Sequence, residues 1–243
     1  MEDVLVVVAI GGAALAASTL AAVAGFGGAA VMLPVLVWAF GIRDAVPILT
    51  IAQLMGNLSR VWFNRTELSF PVVKRFGLGA VPAAIVGGIV FATAPVGALV
   101  RVLGLFLLLM IAYRHSPLGR RTQIGLRGFL PLGVISGVIS AVVGVVGPFM
   151  APFFLAYGLV SGAYIGTEAL ATVVMHITKL GVYGGYALID ADVALVGVAI
   201  GSVMFVGSYL GKQILNRLPA ARFPLVIDGV LLAAGLLFII RGG

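Results

Sequence analysis

Long apolar runs decide what this chain can fold into. Stretches of 18 or more residues with few or no charged side chains recur along it. A helix needs about 20 such residues to cross about 30 Å of hydrocarbon, and a helix satisfies its own backbone hydrogen bonds there. Charged residues make up only 9% of the chain, against about 25% in soluble domains. The sequence therefore predicts an all-α polytopic membrane protein.

Glycines interrupt the predicted helices at two places. A long helix over residues 4–24 ends at Gly25-Phe26-Gly27-Gly28, and the short apolar segment 29–40 follows. In the second half, Gly144-Val145-Val146-Gly147-Pro148 precedes the short segment 149–157. The first short segment would be about 18 Å long as a helix, too short to cross the bilayer. Each break places bare N–H groups and the positive end of a helix dipole within the membrane, which favours an anion. The same glycines also suit close packing between helices.

The two breaks belong to an internal repeat that covers most of the chain. Gly41 matches Gly158 and Thr50 matches Thr167 at one common offset, and three later positions, among them Gly87 with Gly211, match at a slightly larger one. We predict a repeat over residues 1–113, a basic cytoplasmic connector over 114–127, and a second repeat over 128–243. With about eight long helices and two short ones, each repeat has five segments. The longer predicted segments are 4–24, 46–63, 76–94 and 96–113 in the first half, and 128–143, 162–188, 193–210 and 223–240 in the second.

The charges of the loops predict the orientation. Basic loops at 64–75, 114–127 and 211–222 should be cytoplasmic, whereas the acidic N-terminus and the acidic turn 190–192 should lie outside. With these loop positions each repeat crosses the membrane an odd number of times, so one repeat is inverted relative to the other and both termini lie outside. Inverted-topology repeats with broken or re-entrant helix hairpins are a common transporter design.

The glycine breaks, the prolines behind them and the duplicated hydropathy pattern resemble those of the sulfite exporter TauE/SafE family, also called the 4-toluene sulfonate uptake permease family. The resemblance implies a multi-pass protein of the bacterial inner membrane that moves sulfite, sulfonates, sulfoacetate or thiosulfate. The second break departs from a full run of glycines, with Val145 and Val146 at its interior positions. The residues that carry the resemblance are Gly25, Gly27, Gly28 and Pro34, and Gly144, Gly147, Pro148 and Pro152.

A polar stripe follows the first break. Thr50, Gln53, Asn57 and Arg60 have the spacing of one face of the predicted helix 46–63. Polar groups within spans are costly and normally face the bundle interior or a water path. We interpret the first three as substrate-binding. Alternatively, the amides bond neighbouring helices and Arg60 extends to the cytoplasmic surface.

A second stripe lies on the predicted helix 162–188. Lys179 and His176 are candidate partners for an anion, because a nearby cation lowers the cost of bringing it into low dielectric. His176, Glu168 and Asp228 are candidates for a coupling proton. The alternatives are a structural histidine and, for Glu168, an interfacial carboxylate near the outer end. The stripe comprises Glu168, Thr172, His176, Lys179 and Tyr183, with Thr167 beside it.

We predict a secondary transporter, with export as the expected direction, that holds a small sulfur-containing anion at the midplane between the two short helices. The alternatives are a passive anion channel and a thiosulfate uptake permease. The chain has no cysteine and no nucleophile, metal or Walker motif, so we expect no enzyme activity, metal or cofactor. The expected partners are the anion and the lipid bilayer, with a homodimer as a further option and no nucleic acid. The predicted substrate-binding residues are Gly25, Gly27, Gly28, Thr50, Gln53, Asn57, Gly144, Gly147, Phe149, Thr167, His176 and Lys179.

Overall fold

The computed structural model describes residues 2–24, 28–116 and 123–214, and every regular element in these ranges is helical. Five of the helices are long and apolar enough to cross a membrane. The predicted class, an all-α polytopic membrane protein, is confirmed. The predicted last helix, 223–240, lies outside the described residues. The helices are α1 (Glu2–Ala24), α2 (Gly28–Phe63), α3 (Phe70–Thr93), α4 (Val96–His115), α5 (Phe129–Val143, after a 3₁₀ turn at Leu126–Gly128), α6 (Gly147–Ala156), α7 (Ser161–Gly185) and α8 (Ala191–Ile214).

Helix α2 consists of two segments joined at Gly41. This residue has φ 73° and ψ 164°, a conformation that only glycine adopts readily. The first segment, residues 28–40, corresponds to the predicted short segment. The second, 42–63, begins earlier than predicted, because the single glycine absorbs the change of direction. The guanidinium of Arg43 then donates to the carbonyls of Phe91, Ala92 and Ala94 and fixes the turn against the end of α3.

The second half repeats this local geometry. Helix α5 ends at Gly144, which has φ 85° and donates its N–H to the carbonyl of Ser140 at 3.0 Å. Helix α6 has 10 residues and is therefore about 15 Å long, too short to cross the bilayer. Gly158, with φ 96°, follows it. The two glycines matched by the sequence pattern, Gly41 and Gly158, thus both have positive φ after a short helix.

Helix α7 runs antiparallel to the second segment of α2. At the start of α7, a Cβ on Gly162 would meet Asn64 and Glu67, which follow the end of α2. At the other end, the ring of Phe91 lies 5.3 Å from the ring of Tyr183 in α7. The same ring lies 5.7 Å from the guanidinium carbon of Arg43, at the start of the segment. The helices that follow the two breaks therefore cross the bundle in opposite directions.

Helices α3 and α8, which correspond to each other in the predicted repeats, are also antiparallel. Helix α3 runs parallel to α7, with Ser69 against Thr167 at one end and Gly88 against Val182 at the other. Helix α8 runs parallel to α2, and at their ends the ammonium of Lys212 donates to the carbonyl of Phe63 at 2.9 Å. Because α2 and α7 are antiparallel, α3 and α8 are antiparallel too, as inverted repeats require. The repeat itself stays a prediction.

Close helix packing in the bundle depends on glycine. Helix α3 packs along α5, and α8 packs along α1. A Cβ at Gly87 of α3 would lie 2.9 Å from the carbonyl oxygen of Val138, and one at Gly211 of α8 would lie 2.7 Å from that of Thr19. Backbones this close are typical of small-residue interfaces between membrane helices. Gly87 and Gly211 are also matched positions in the predicted repeat.

The two ends of the bundle differ in charge. The loop after α2 lies at the end with Arg65, Lys74, Arg75 and Lys212, whereas Asp190 lies at the opposite end. Helix α3 begins at Phe70 instead of residue 76, so Lys74 and Arg75 belong to its first turns and not to a loop. The positive-inside rule therefore predicts that the basic end is cytoplasmic.

Single-cysteine variants test this orientation, because the chain has no cysteine of its own. We expect Asp190→Cys to react with a membrane-impermeant maleimide on intact cells, and Glu67→Cys to react only after permeabilisation. Labelling of both variants in permeabilised cells is the control. The reverse pattern would invert the orientation, and labelling of both from outside would contradict the opposite placement of the two loops.

Candidate functional site

A small cavity lies where the second glycine break, the start of α2 and the two polar stripes come together. Its volume is about 30 Å³, on a scale where one water needs at least about 10–15 Å³. It is therefore large enough for two or three water molecules or a group of similar size. Its walls come from α1, α2, α5, α6, α7 and the residues between α5 and α6. They are Ala21, Gly28, Ala29, Gln53, Arg60, Ser140, Gly144, Val146, Gly147, Pro148, Glu168, Thr172 and His176.

The start of α6 presents a backbone donor beside the cavity. The N–H groups of Phe149 and Met150 donate to the carbonyl of Val146 at 3.0 and 3.1 Å. Pro148 has no N–H, so the remaining donor of the first turn is that of Gly147, which lines the cavity. The N–H of Phe149 is thereby bonded within the protein and Phe149 does not line the cavity, and its role in substrate binding stays a prediction. The Phe149 ring packs instead against Tyr113, with 5.7 Å between their centroids.

At the first break, the structure describes the start of α2 and not the residues before it. Gly28 lines the cavity, and a Cβ there would lie 2.8 Å from the carbonyl oxygen of Ala17 in α1. The two interpretations of this glycine, site and packing, therefore both apply. Gly25 and Gly27, the other predicted residues of this break, lie outside the described residues.

The polar stripe of α2 contributes two side chains to the cavity. Gln53 lines it, and its Nε2 has no hydrogen-bond partner among the described residues. Arg60 lines it too and is only 7% exposed, so the interpretation that Arg60 extends to the surface is wrong. Asn57 is fully buried behind it, and its Oδ1 accepts a hydrogen bond from Arg60 Nη2. Thr50 does not line the cavity, since its hydroxyl donates to the carbonyl of Val46 in its own helix at 2.7 Å.

Helix α7 supplies the opposite wall with Glu168, Thr172 and His176. The Glu168 Oε2 lies 3.6 Å from Arg60 Nη1, and the Thr172 hydroxyl donates to the Glu168 backbone carbonyl at 2.9 Å. Because Glu168 is 3% exposed and paired with an arginine, its interpretation as an interfacial carboxylate is wrong. His176 is equally buried, and neither ring nitrogen has a hydrogen-bond partner among the described residues. Asp228, the third coupling candidate, lies outside the described residues.

Lys179 stands one layer behind the cavity. It is fully buried, and its ammonium donates to the carbonyl and hydroxyl oxygens of Ser140 at 3.2 and 3.1 Å. That carbonyl also accepts the N–H of Gly144, so Lys179 stabilises the turn at the second break. A cation at the C-terminal end of α5 also complements the helix dipole. The structure therefore makes Lys179 a positioning residue and not a wall of the cavity.

The hydroxyls of Thr167 and Tyr183 bond to the backbone of neighbouring segments around the cavity. The Thr167 hydroxyl oxygen accepts the N–H of Ser69 at 3.0 Å and thereby holds the start of α3. The Tyr183 hydroxyl donates to the carbonyl of Ala141 at 2.6 Å, next to the site of Lys179. Thr167, predicted as a binding residue, therefore lies outside the cavity.

The predicted set omitted three polar wall residues, Arg60, Thr172 and Ser140, along with four apolar ones. Arg60 and Thr172 were visible on the two stripes, and their spacing was the signal for both. Ser140 had a weaker signal, as one of the few polar residues of α5, four positions before the glycine that ends the helix. Its contact with Lys179 could not be read from spacing, because the two residues lie on different helices.

The cavity combines the donors that suit a small oxyanion. Arg60 offers a planar guanidinium, Gln53 an amide without a partner, and Gly147 a backbone N–H at a helix start. Glu168 compensates the charge of Arg60. Among the described residues no group of three His, Asp or Glu side chains is arranged to hold a metal ion.

Comparison with known proteins gives one finding. A sequence model of the family described as sulfite exporter TauE/SafE matches residues 10–238. No curated protein and no solved structure matches the chain.

Removing the side-chain amide of Gln53 and removing the hydroxyl of Tyr183 should have different effects on the stability of the protein. We expect Gln53→Leu to leave the melting temperature in detergent unchanged or raised, because Nε2 makes no protein hydrogen bond that would be lost. Tyr183→Phe should lower stability by about 1–3 kcal/mol, since it leaves a buried carbonyl without its partner. Thermal unfolding of both variants beside the wild type is the measurement. A larger loss for Gln53→Leu than for Tyr183→Phe would make the glutamine a structural residue.

Proposed function

Since the chain belongs to the sulfite exporter TauE/SafE family, we propose that it is a secondary transporter that exports a small sulfur oxyanion or sulfonate through the cavity described above. The observation that supports this is the meeting of Gln53, Arg60 and His176 with the starts of two helices around one buried cavity. A transporter family also implies that the chain is not an enzyme.

The cavity walls suggest how the anion is held. Each short helix start contributes roughly half a positive charge, and Gly147, the first residue of α6, lines the cavity. Arg60 can bind two oxygens of the anion at once with parallel N–H groups. The free Nε2 of Gln53 donates a further hydrogen bond. These donors fix the orientation of an oxyanion without a metal.

The size of the cavity favours a small substrate. About 30 Å³ corresponds to two or three water molecules, close to the size of sulfite or of a sulfonate head group. A large aromatic sulfonate would require the helices to separate. We therefore place sulfite ahead of bulky sulfonates as the substrate.

The burial of the cavity walls favours a carrier over a channel. Glu168 and His176 are each 3% exposed, so these two walls are largely withdrawn from bulk water in this conformation. Buried sites between broken helices are typical of carriers, which open them to one side at a time. An open pore would need a continuous hydrated path past these residues.

The same proposal includes the membrane placement and the division of the chain. We place the protein in the bacterial inner membrane with both termini outside, and divide it into repeats 1–113 and 128–243 around the connector 114–127. The antiparallel course of α2 and α7 and the charge difference between the bundle ends support this arrangement.

A thermal-shift panel tests the substrate class. Purified protein is heated with sulfite, thiosulfate, sulfoacetate, taurine or sulfate, and a ligand that binds the folded state raises the melting temperature with its concentration. We expect sulfite to give the largest shift and taurine, which has no net charge, the smallest. Planar bilayers with the same protein should show no unitary currents. Absence of any anion-dependent shift would contradict an anion site, and unitary currents would favour the channel.

Gln53→Leu tests the cavity directly. Loss of a hydrogen bond to a charged ligand is worth about 1.5–3 kcal/mol, so the Kd for sulfite should rise about tenfold to a hundredfold. Thr50→Val, one turn earlier on the same helix, is the matched control, because that hydroxyl is bonded to Val46 and does not line the cavity. Titration calorimetry of both variants gives the Kd values. Equal weakening by the two changes would point to a general disturbance of α2 instead of a binding contact.

A further inference from the structure

We propose that the Arg60–Glu168 pair couples anion binding to proton uptake: the guanidinium moves from Glu168 to the entering anion, and the carboxylate takes up one proton in the same event. The inference rests on the proposed function and adds to it the coupling ion and the residue that carries it.

The geometry of the pair suits an exchange of partners. Glu168 Oε2 lies 3.6 Å from Arg60 Nη1 and has no hydrogen-bond partner among the described residues. Direct hydrogen bonds between charged groups are typically about 2.7–2.9 Å long. The carboxylate is thus held loosely, with the Thr172 hydroxyl 3.3 Å from its Oε1. Asn57 holds the guanidinium by accepting a hydrogen bond from Nη2, and Nη1 is the nitrogen closest to Glu168 in the ion pair.

The charge balance at the cavity walls favours uptake of a proton. Arg60 and Glu168 are the charged side chains among the described walls, and they neutralise each other. Lys179 is a buried cation one layer behind them, and its ammonium already donates to Ser140. An anion that enters this buried space adds a negative charge, and an uncompensated buried charge is costly. A proton that binds one oxygen of Glu168 restores neutrality. The cavity then holds one cation, the bound anion and a neutral carboxylic acid.

The surroundings of Glu168 offer one other proton acceptor. From its own helix, Tyr164, Thr172 and His176 lie nearby, and from α2 come Arg60 and Gln53. The residues of α1, α5 and α6 that line the cavity carry no charge. His176 has two ring nitrogens without partners, so a proton could bind there instead. Only Glu168, however, is the carboxylate that the anion would displace from Arg60.

This coupling sets the driving force for transport. A monoanion that moves together with one proton carries no net charge across the membrane. The membrane potential then does not drive the flux. The anion gradient drives export, and a pH gradient that is acidic outside opposes it.

Proton counting on sulfite binding tests the proposal. Calorimetry of the full-length protein in two buffers with different ionisation enthalpies gives the protons taken up per bound sulfite. We expect the wild type to take up about one proton more than Glu168→Gln, which mimics the protonated acid. Proton uptake by sulfite itself is common to both and cancels in the difference. Above neutral pH, the wild-type Kd should rise by about tenfold per pH unit relative to that of the variant.

Two further variants complete the test. Glu67→Gln removes an exposed carboxylate outside the cavity walls and should behave as the wild type. Arg60→Gln combined with Glu168→Gln removes both charges, so it avoids the unpaired buried arginine that could unfold the single variant. We expect the double variant to bind sulfite at least tenfold more weakly, since the anion has lost its cation.

The outcomes separate the two proposals. Equal proton uptake by wild type and Glu168→Gln would overturn the coupling, and would assign any uptake to another group such as His176. Sulfite binding by the double variant as tight as that of the wild type would also overturn it. Should the single variant fail to fold, wild-type uptake is compared with the titration of free sulfite, and no excess proton would overturn the coupling. A wild type that binds no sulfite contradicts the proposed function itself.

Discussion

A helix that stops inside a bilayer exposes backbone donors and acceptors where no bulk water can satisfy them, so the rest of the protein must do so. The second break illustrates this requirement. The carbonyl of Ser140 accepts both the N–H of Gly144 and the ammonium of Lys179, and the carbonyl of Ala141 accepts the Tyr183 hydroxyl. Helix α7 thus satisfies the end of α5 from the side. Gly147, whose N–H is the remaining donor of the first turn of α6, lines the cavity.

Two kinds of contact hold these helices in place. Where α3 meets α5 and where α8 meets α1, the backbones approach closely, since a Cβ at Gly87 or Gly211 would meet a carbonyl oxygen at under 3 Å. Between α7 and α5, the long side chains of Lys179 and Tyr183 reach the carbonyls of the facing helix. Small residues therefore bring some pairs of helices together, and polar side chains connect another pair beside the cavity.

The sequence predicted the membrane class, the helix order and the two short segments, because these depend on local length, hydropathy and glycine positions. It also predicted that Gln53 and His176 face a common interior, since helical spacing determines which residues share a face. It could not tell which members of a stripe reach the cavity. Thr50 lies on the first stripe and Thr167 beside the second, yet their hydroxyls bond to the backbone of Val46 and Ser69. That choice depends on the depth and rotation of neighbouring helices, which hydropathy does not encode.

The Arg60–Glu168 pair illustrates why a transporter keeps a buried charge pair that does little for stability. Replacing such a pair with apolar residues often stabilises a protein, because desolvation offsets the attraction. A cavity with an arginine alone would hold an anion tightly and release it slowly. A cavity with no cation would not admit it. The carboxylate of Glu168 lies 3.6 Å from the guanidinium, and in the proposed mechanism it keeps the cavity neutral before the anion binds and competes with the anion for Arg60. The anion can then enter and leave at similar cost, which is the condition for turnover.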